Sequence, residues 1–60
     1  MKARFEYFEN KYNKFQFRFI SATGEVVVTS DMYASRKDCL NGIETLKAGA
    51  YKAAVVEVIN

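Results

Sequence analysis

The sequence has 60 residues; half of them are hydrophobic, and nine lysines and arginines against seven acids leave a net charge of +2. This apolar content excludes a disordered chain, and so small a charge excess neither requires nor excludes nucleic acid. One cysteine and no histidine exclude an intrachain disulfide and argue against a zinc site. Because a chain this short buries only about 60% of its unfolded surface, we expect it to need a partner chain, most simply as a homodimer.

Alternating aromatic and polar residues predict two strands in the first third of the chain. In residues 4–8 and 15–20 every second position is aromatic or apolar, which is typical of half-buried strands. The phenylalanines of the second strand share one face, and Gln16 and Arg18 share the other. The polar residues 10–13, with two asparagines, suit a turn between the two strands.

A third strand is predicted directly after the second. Residues 21–24 form a turn in which Gly24 is able to adopt positive φ. Residues 25–29 then contain three consecutive valines, a composition that favours β structure. Three short strands joined by short turns indicate an antiparallel meander.

The periodicity then changes to that of a helix. Ser35 followed by Asp38 resembles a capping box, with aspartate in place of the usual glutamate. An apolar stripe continues at spacings of four, three and four residues, which predicts a helix over residues 36 to 47 or 48. Gly49 is the predicted helix stop. The residues of the stripe are Cys39, Ile43, Leu46 and Ala50.

Residues 53–59 are predicted to form the last strand, because four of the seven are valine or isoleucine. The result is one α+β domain over residues 1–60, a β-β-β-α-β unit whose antiparallel sheet carries one helix packed on one face. The helix-side face is predicted to hold Phe5, Tyr7, Phe17, Phe19, Val26, Val28, Val56 and Val58. The opposite face is predicted to hold Arg4, Glu6, Phe8, Gln16, Arg18, Val27 and Glu57.

Several segments together resemble the YegP-like family. They are FQFRF at 15–19, GEVVVTS at 24–30, YAS at 33–35 and CLNGIETLK at 39–47. The resemblance implies a homodimer or tandem repeat that builds one sheet by swapping C-terminal strands, here with a hinge at residues 48–52. Since this chain holds one unit, the resemblance implies a homodimer. It also implies no established function.

Three helix-side positions have a functional and a structural interpretation. Cys39 lies near the helix N-terminus, but without histidine as a base we favour a buried packing residue. The Asn41-Gly42 pair lies inside the helix, where Gly42 either admits a ligand or, as we favour, allows close packing. Tyr33 either offers a hydroxyl to a ligand or, as we favour, anchors the start of the helix.

The sequence contains no catalytic, cofactor-binding or metal-binding motif, so we predict a non-enzymatic, homodimeric interaction domain without a cofactor. The alternative is weak single-stranded nucleic-acid binding on the open sheet face, with Phe8 for stacking and Arg18 among the cations. The candidate interaction residues are therefore Tyr33, Asn41, Gly42, Arg18 and Phe8.

No apolar run approaches the ~20 residues that a membrane span needs. The first eight residues carry charges at Lys2, Arg4 and Glu6, which argues against a signal peptide. We therefore expect a cytoplasmic protein with no membrane partner.

Overall fold

The computed structural model of the chain describes residues 2–59. Within them the elements follow the order β1 (Arg4–Glu9), β2 (Phe15–Ile20), β3 (Val26–Thr29) and α1 (Arg36–Ala50). The strands form an antiparallel sheet in sequence order, β1-β2-β3. The predicted meander, and the α+β class with one helix on an antiparallel sheet, are confirmed.

Both turns of the meander are set by residues that tolerate unusual backbone angles. In the first turn the Asn10 side-chain oxygen accepts hydrogen bonds from the backbone N–H groups of Tyr12 at 2.9 Å and Lys14 at 3.1 Å. Asn13 there has φ of 60°, a left-handed value that asparagine tolerates better than most residues. In the second turn Gly24 has φ of 92°, where a side chain would be strained.

The core lies between the helix and the middle of the sheet. Phe17, Cys39 and Ile43 are buried together. Partly buried hydrophobic side chains surround them, and Phe5 meets Phe17 edge to face with ring centroids 6.0 Å apart. These surrounding residues are Phe5, Phe15, Tyr33 and Leu46. The predicted helix stripe therefore packs on the sheet face that the strand alternation indicates.

The helix starts where the sequence predicts and ends later than predicted. Ser35 has extended backbone angles, and its hydroxyl accepts a hydrogen bond from the Asp38 N–H at 3.1 Å. The predicted stop at Gly49 is wrong, because the helix runs through this residue to Ala50. A helical glycine costs only about 1 kcal/mol relative to alanine, and the apolar stripe continues past it from Leu46 to Ala50.

The predicted fourth strand is not formed within the single chain. Residues 53–59 are not in a strand, so the places of Val56 and Val58 on the helix side of the sheet stay predictions for a sheet that includes a second chain. A strand needs a neighbouring strand for its backbone hydrogen bonds, and within residues 2–59 these residues have none.

The sheet is also less covered than the alternation predicts. Tyr7, Val26 and Val28 were expected in the core but are 46%, 51% and 42% exposed. Val28 is exposed because α1 packs over β2 and β1 and leaves β3 at an open edge. Val26 is exposed for another reason: a register shift pairs it with Ile20, which lies on the face opposite to Phe19, so its predicted place on the helix side is wrong.

Candidate interaction site

The outer edge of β3 is open. Among the described strands β3 pairs only with β2, and all four residues of Val26–Thr29 are exposed. An exposed edge strand presents unpaired backbone N–H and C=O groups to any extended chain that can align with it. Addition of a strand to such an edge is a recurring way for proteins to bind a segment of another chain.

An apolar groove of about 490 Å³ lies beside this edge, between the end of α1 and the sheet. At its floor Phe5 lies opposite Phe19 in the β1–β2 register, with ring centroids 5.1 Å apart. Val28 is the β3 partner of Phe19, so the groove reaches the open strand. The lining residues are Phe5, Phe19, Val28, Leu46, Lys47, Ala50 and Tyr51.

The post-helical segment (residues 53–59) is apolar and lies in solvent. Its large side chains are exposed to 102% at Val55, 73% at Val56, 78% at Val58 and 85% at Ile59. After the Ala53 N–H donates to the Ala50 carbonyl at 3.3 Å, the segment leaves the body of the domain. Soluble domains rarely expose contiguous apolar stretches of this kind, and such stretches mark contact surfaces.

Two ion pairs lie on the sheet face opposite the helix, which we call the helix-free face. Glu6 accepts from Arg4 Nε at 2.8 Å and from Arg18 Nε at 2.9 Å. The hydrogen bond from Arg4, followed by that from Arg18, holds the pKa of the Glu6 carboxyl below its usual value of 4.5. The Arg18 guanidinium also lies 5.3 Å from the centroid of the Phe8 ring. The stacking surface predicted for nucleic acid is therefore occupied by the chain's own side chains.

Tyr33 and Gly42 lie on the other side of the sheet and contact each other. Two backbone hydrogen bonds, of 2.8 and 2.7 Å, join Tyr33 to Phe15. The Tyr33 ring stacks on Phe17 with centroids 6.1 Å apart. A Cβ at Gly42 would lie 2.8 Å from Tyr33 Cζ and 3.3 Å from Phe17, so the bare backbone of Gly42 gives the ring its space. The favoured interpretations, an anchored helix start and close packing, agree with these contacts.

Asn41, the fifth candidate, is exposed on the helix, where its carbonyl accepts from the Thr45 hydroxyl at 2.9 Å. The five candidate residues thus do not form one site: Arg18 and Phe8 lie on the helix-free face, whereas Gly42 of the helix packs on Tyr33 between the helix and the sheet. Sequence reasoning missed the apolar groove. The apolar stripe continues from Leu46 to Ala50, and this continuation indicates one apolar wall of the groove.

Cys39 has the environment of a packing residue. Its side chain is 0% exposed, and burial raises the pKa of the thiol. A reactive cysteine instead needs access and a stabilised thiolate.

Metal-binding clusters and membrane-spanning helices are both absent from residues 2–59. Residues 2–59 contain no cluster of three or more His, Cys, Asp or Glu side chains that could hold a metal ion. In the same part of the chain no helix has the length and apolar character to cross a membrane.

The chain is a small α+β domain, with an antiparallel three-strand meander, one helix, an open sheet edge and an exposed apolar segment. The chain belongs to the family described as domain of unknown function DUF1508, which matches residues 10–57. The predicted membership of the YegP-like family is confirmed. The function of this family is unknown.

The relatives include chains of similar length and longer ones. A UPF0339 protein of Treponema denticola is 45% identical over 97% of this chain and 100% of its own length. A UPF0339 protein of Pseudomonas aeruginosa is 31% identical over 97% of this chain but only 53% of its own length. An NMR solution structure of a Haloferax volcanii protein superposes with a TM-score of 0.85 at 33% identity, covering 95% of this chain and 97% of that one.

Proposed function

We propose that this chain is a non-enzymatic interaction domain that works as a homodimer. In the dimer, residues 53–59 of each chain pair with the open edge of β3 in the other chain and cover its apolar groove. The observation that carries the proposal is that one chain holds both halves of the contact. An open strand edge beside an apolar groove lies in the same molecule as an extended apolar segment without a neighbour.

Apolar burial contributes to the stability of the proposed dimer. Because side chains alternate along a strand, two of the four exposed valine and isoleucine side chains of each post-helical segment would leave water. Full burial of such a side chain contributes about 1.5–3 kcal/mol. Because the contact occurs twice, four of these side chains, together with the groove residues that they cover, act against an association cost of about 4–15 kcal/mol. Backbone hydrogen bonds along the β3 edge add to this and fix the direction of the added strand.

The relatives and the family resemblance agree with two units acting together. The chain matches 53% of the Pseudomonas aeruginosa relative, so that chain has room for a second unit of the same size. The YegP-like resemblance implies either a tandem repeat or a homodimer with swapped C-terminal strands. These 60 residues hold one such unit, and we propose that the second comes from another copy of the chain.

Single-stranded nucleic-acid binding stays a prediction from the sequence, and we do not propose it. Glu6 pairs with both arginines of the helix-free face, and Arg18 covers the ring of Phe8. Phosphate binding at this face would have to compete with these internal contacts.

Sedimentation equilibrium tests the dimer. We expect a mass of twice the 6.9 kDa chain at micromolar concentration, and a melting temperature that rises with protein concentration. Two matched variants on β3 locate the contact. Val28→Lys, in the groove, should weaken the dimer because it places a charge against apolar groups, whereas Val27→Lys, which does not line the groove, should leave it intact. A chain that stays monomeric and melts at the same temperature at every concentration would contradict the proposal.

A further inference from the structure

We infer that Glu57 decides which face of the post-helical segment enters the groove of the partner chain. Ala54, Val56 and Val58 enter the groove, and Val55, Glu57 and Ile59 lie on the helix-free side. This inference rests on the proposed dimer and adds the orientation of the strand that is exchanged.

The alternation of side chains along a strand allows two orientations. In one, Val56 and Val58 point into the groove; in the other, Val55 and Ile59 do so, together with Glu57. The apolar side chains alone do not choose between these orientations, because both faces carry two large aliphatic residues. A slip of one residue in the pairing exchanges the two faces completely, so the segment needs a feature that separates them. Glu57 is the charged residue of the segment.

The groove has no group that would compensate a buried carboxylate. Its lining is aromatic and aliphatic except for Lys47 and the hydroxyl of Tyr51. Lys47 lines the groove, but its side chain is 54% exposed and its ammonium lies 3.7 Å from the Glu44 carboxylate, so it would be only a solvent-screened and shared partner for a buried carboxylate. Burial of a charge without a partner is among the most costly changes in a protein interface.

The helix-free side accepts the carboxylate without this cost. Thr29, the β3 partner of Arg18, faces this side and is exposed, so a side chain beside it stays in water. The same face already carries charged groups at Arg4, Glu6 and Arg18. The apolar groove therefore excludes Glu57, whereas on the helix-free side its carboxylate stays in water. The position of this one residue thus determines that Val56 and Val58 are buried.

A pair of neighbouring substitutions tests the orientation. Val55→Glu and Val56→Glu make the same chemical change at two positions that are both exposed in the single chain, at 102% and 73%. We expect V56E to raise the dimer dissociation constant at least about a hundredfold, because it places a charge on the buried face while Glu57 keeps the other face charged. V55E should raise it less than about tenfold. The measurement is sedimentation equilibrium over a dilution series, with circular dichroism to follow the fold.

A rescue experiment tests the role of Glu57 itself. V58E alone places charges on both faces of the segment and should weaken the dimer at least about a hundredfold. The double variant E57V/V58E moves the charge by one residue, frees the other face for burial, and should recover dimerisation to within about tenfold of the parent.

The outcomes separate this inference from the proposed dimer. A dimeric parent in which V55E is the damaging variant, in which V55E and V56E act equally, or in which E57V/V58E is not rescued, overturns the inference and leaves the dimer standing. A parent that is monomeric overturns the proposed function, and the inference with it.

Discussion

A chain that ends at Ala50 is expected to lose both its dimer and its fold. The truncation removes the exposed apolar residues of the post-helical segment and also Tyr51, which lines the groove. The groove and the β3 edge then stay in water in both chains. Since a domain of this size has little stability in reserve, the loss of its largest intermolecular apolar contact should unfold it. Far-UV circular dichroism and sedimentation measure the two losses.

A synthetic peptide of residues 51–60 provides the control for the truncation. Added in excess, it should restore helical and sheet signals to the shortened chain, because it supplies the missing strand without the covalent link. A peptide with Val56 and Val58 replaced by serine should not restore them. A shortened chain that is a folded monomer without any peptide would show that the segment is dispensable.

The two helical glycines are expected to respond to alanine with opposite signs. At Gly42 a methyl group would overlap the ring of Tyr33, which cannot easily move away because its backbone is bonded to Phe15 and its ring is stacked on Phe17. Overpacking of this kind costs about 1–3 kcal/mol, of which the better helix propensity of alanine returns about 1 kcal/mol. We therefore expect G42A to lower the free energy of unfolding by up to about 2 kcal/mol.

Gly49 is the matched control for this substitution. A Cβ there meets nothing within 4 Å, so G49A should raise the free energy of unfolding by about 0.5–1 kcal/mol. Thermal melts at one fixed protein concentration measure both variants. A second control repeats G42A in a Y33A background, where the substitution should become neutral or stabilising. If G42A melts at or above the parent temperature while Tyr33 is present, close packing at Gly42 is not what the glycine provides.

The parts of this fold that follow from local chemistry could be predicted from the sequence. The alternation in β1 and β2 separates Phe17 from Arg18 without reference to any partner, and Ser35 caps the helix through its own backbone neighbours. These features depend on residues that are close in sequence or on one repeated pattern. They therefore appear in the structure as the sequence indicates.

The parts that depend on a second surface could not be predicted in the same way. Residues 53–59 have the composition of a strand, but a strand needs an edge to pair with, and the described part of the single chain does not bring one to it. Glycine is a common residue at a helix end, but the helix continues through Gly49 because the apolar stripe runs on from Leu46 to Ala50. The groove combines residues from three strands and the end of the helix, an arrangement that sequence spacing does not encode.

The most direct test of the exchanged strand is an isotope-filtered NOE experiment on mixed dimers. One sample of the chain is labelled with ¹³C and the other is unlabelled; they are unfolded together and refolded at equal concentrations. We expect NOEs between the Val56 and Val58 methyl groups of one chain and Phe19 and Val28 of the other. NOEs from these methyl groups only to their own chain, or no NOEs between chains, would contradict the proposed exchange.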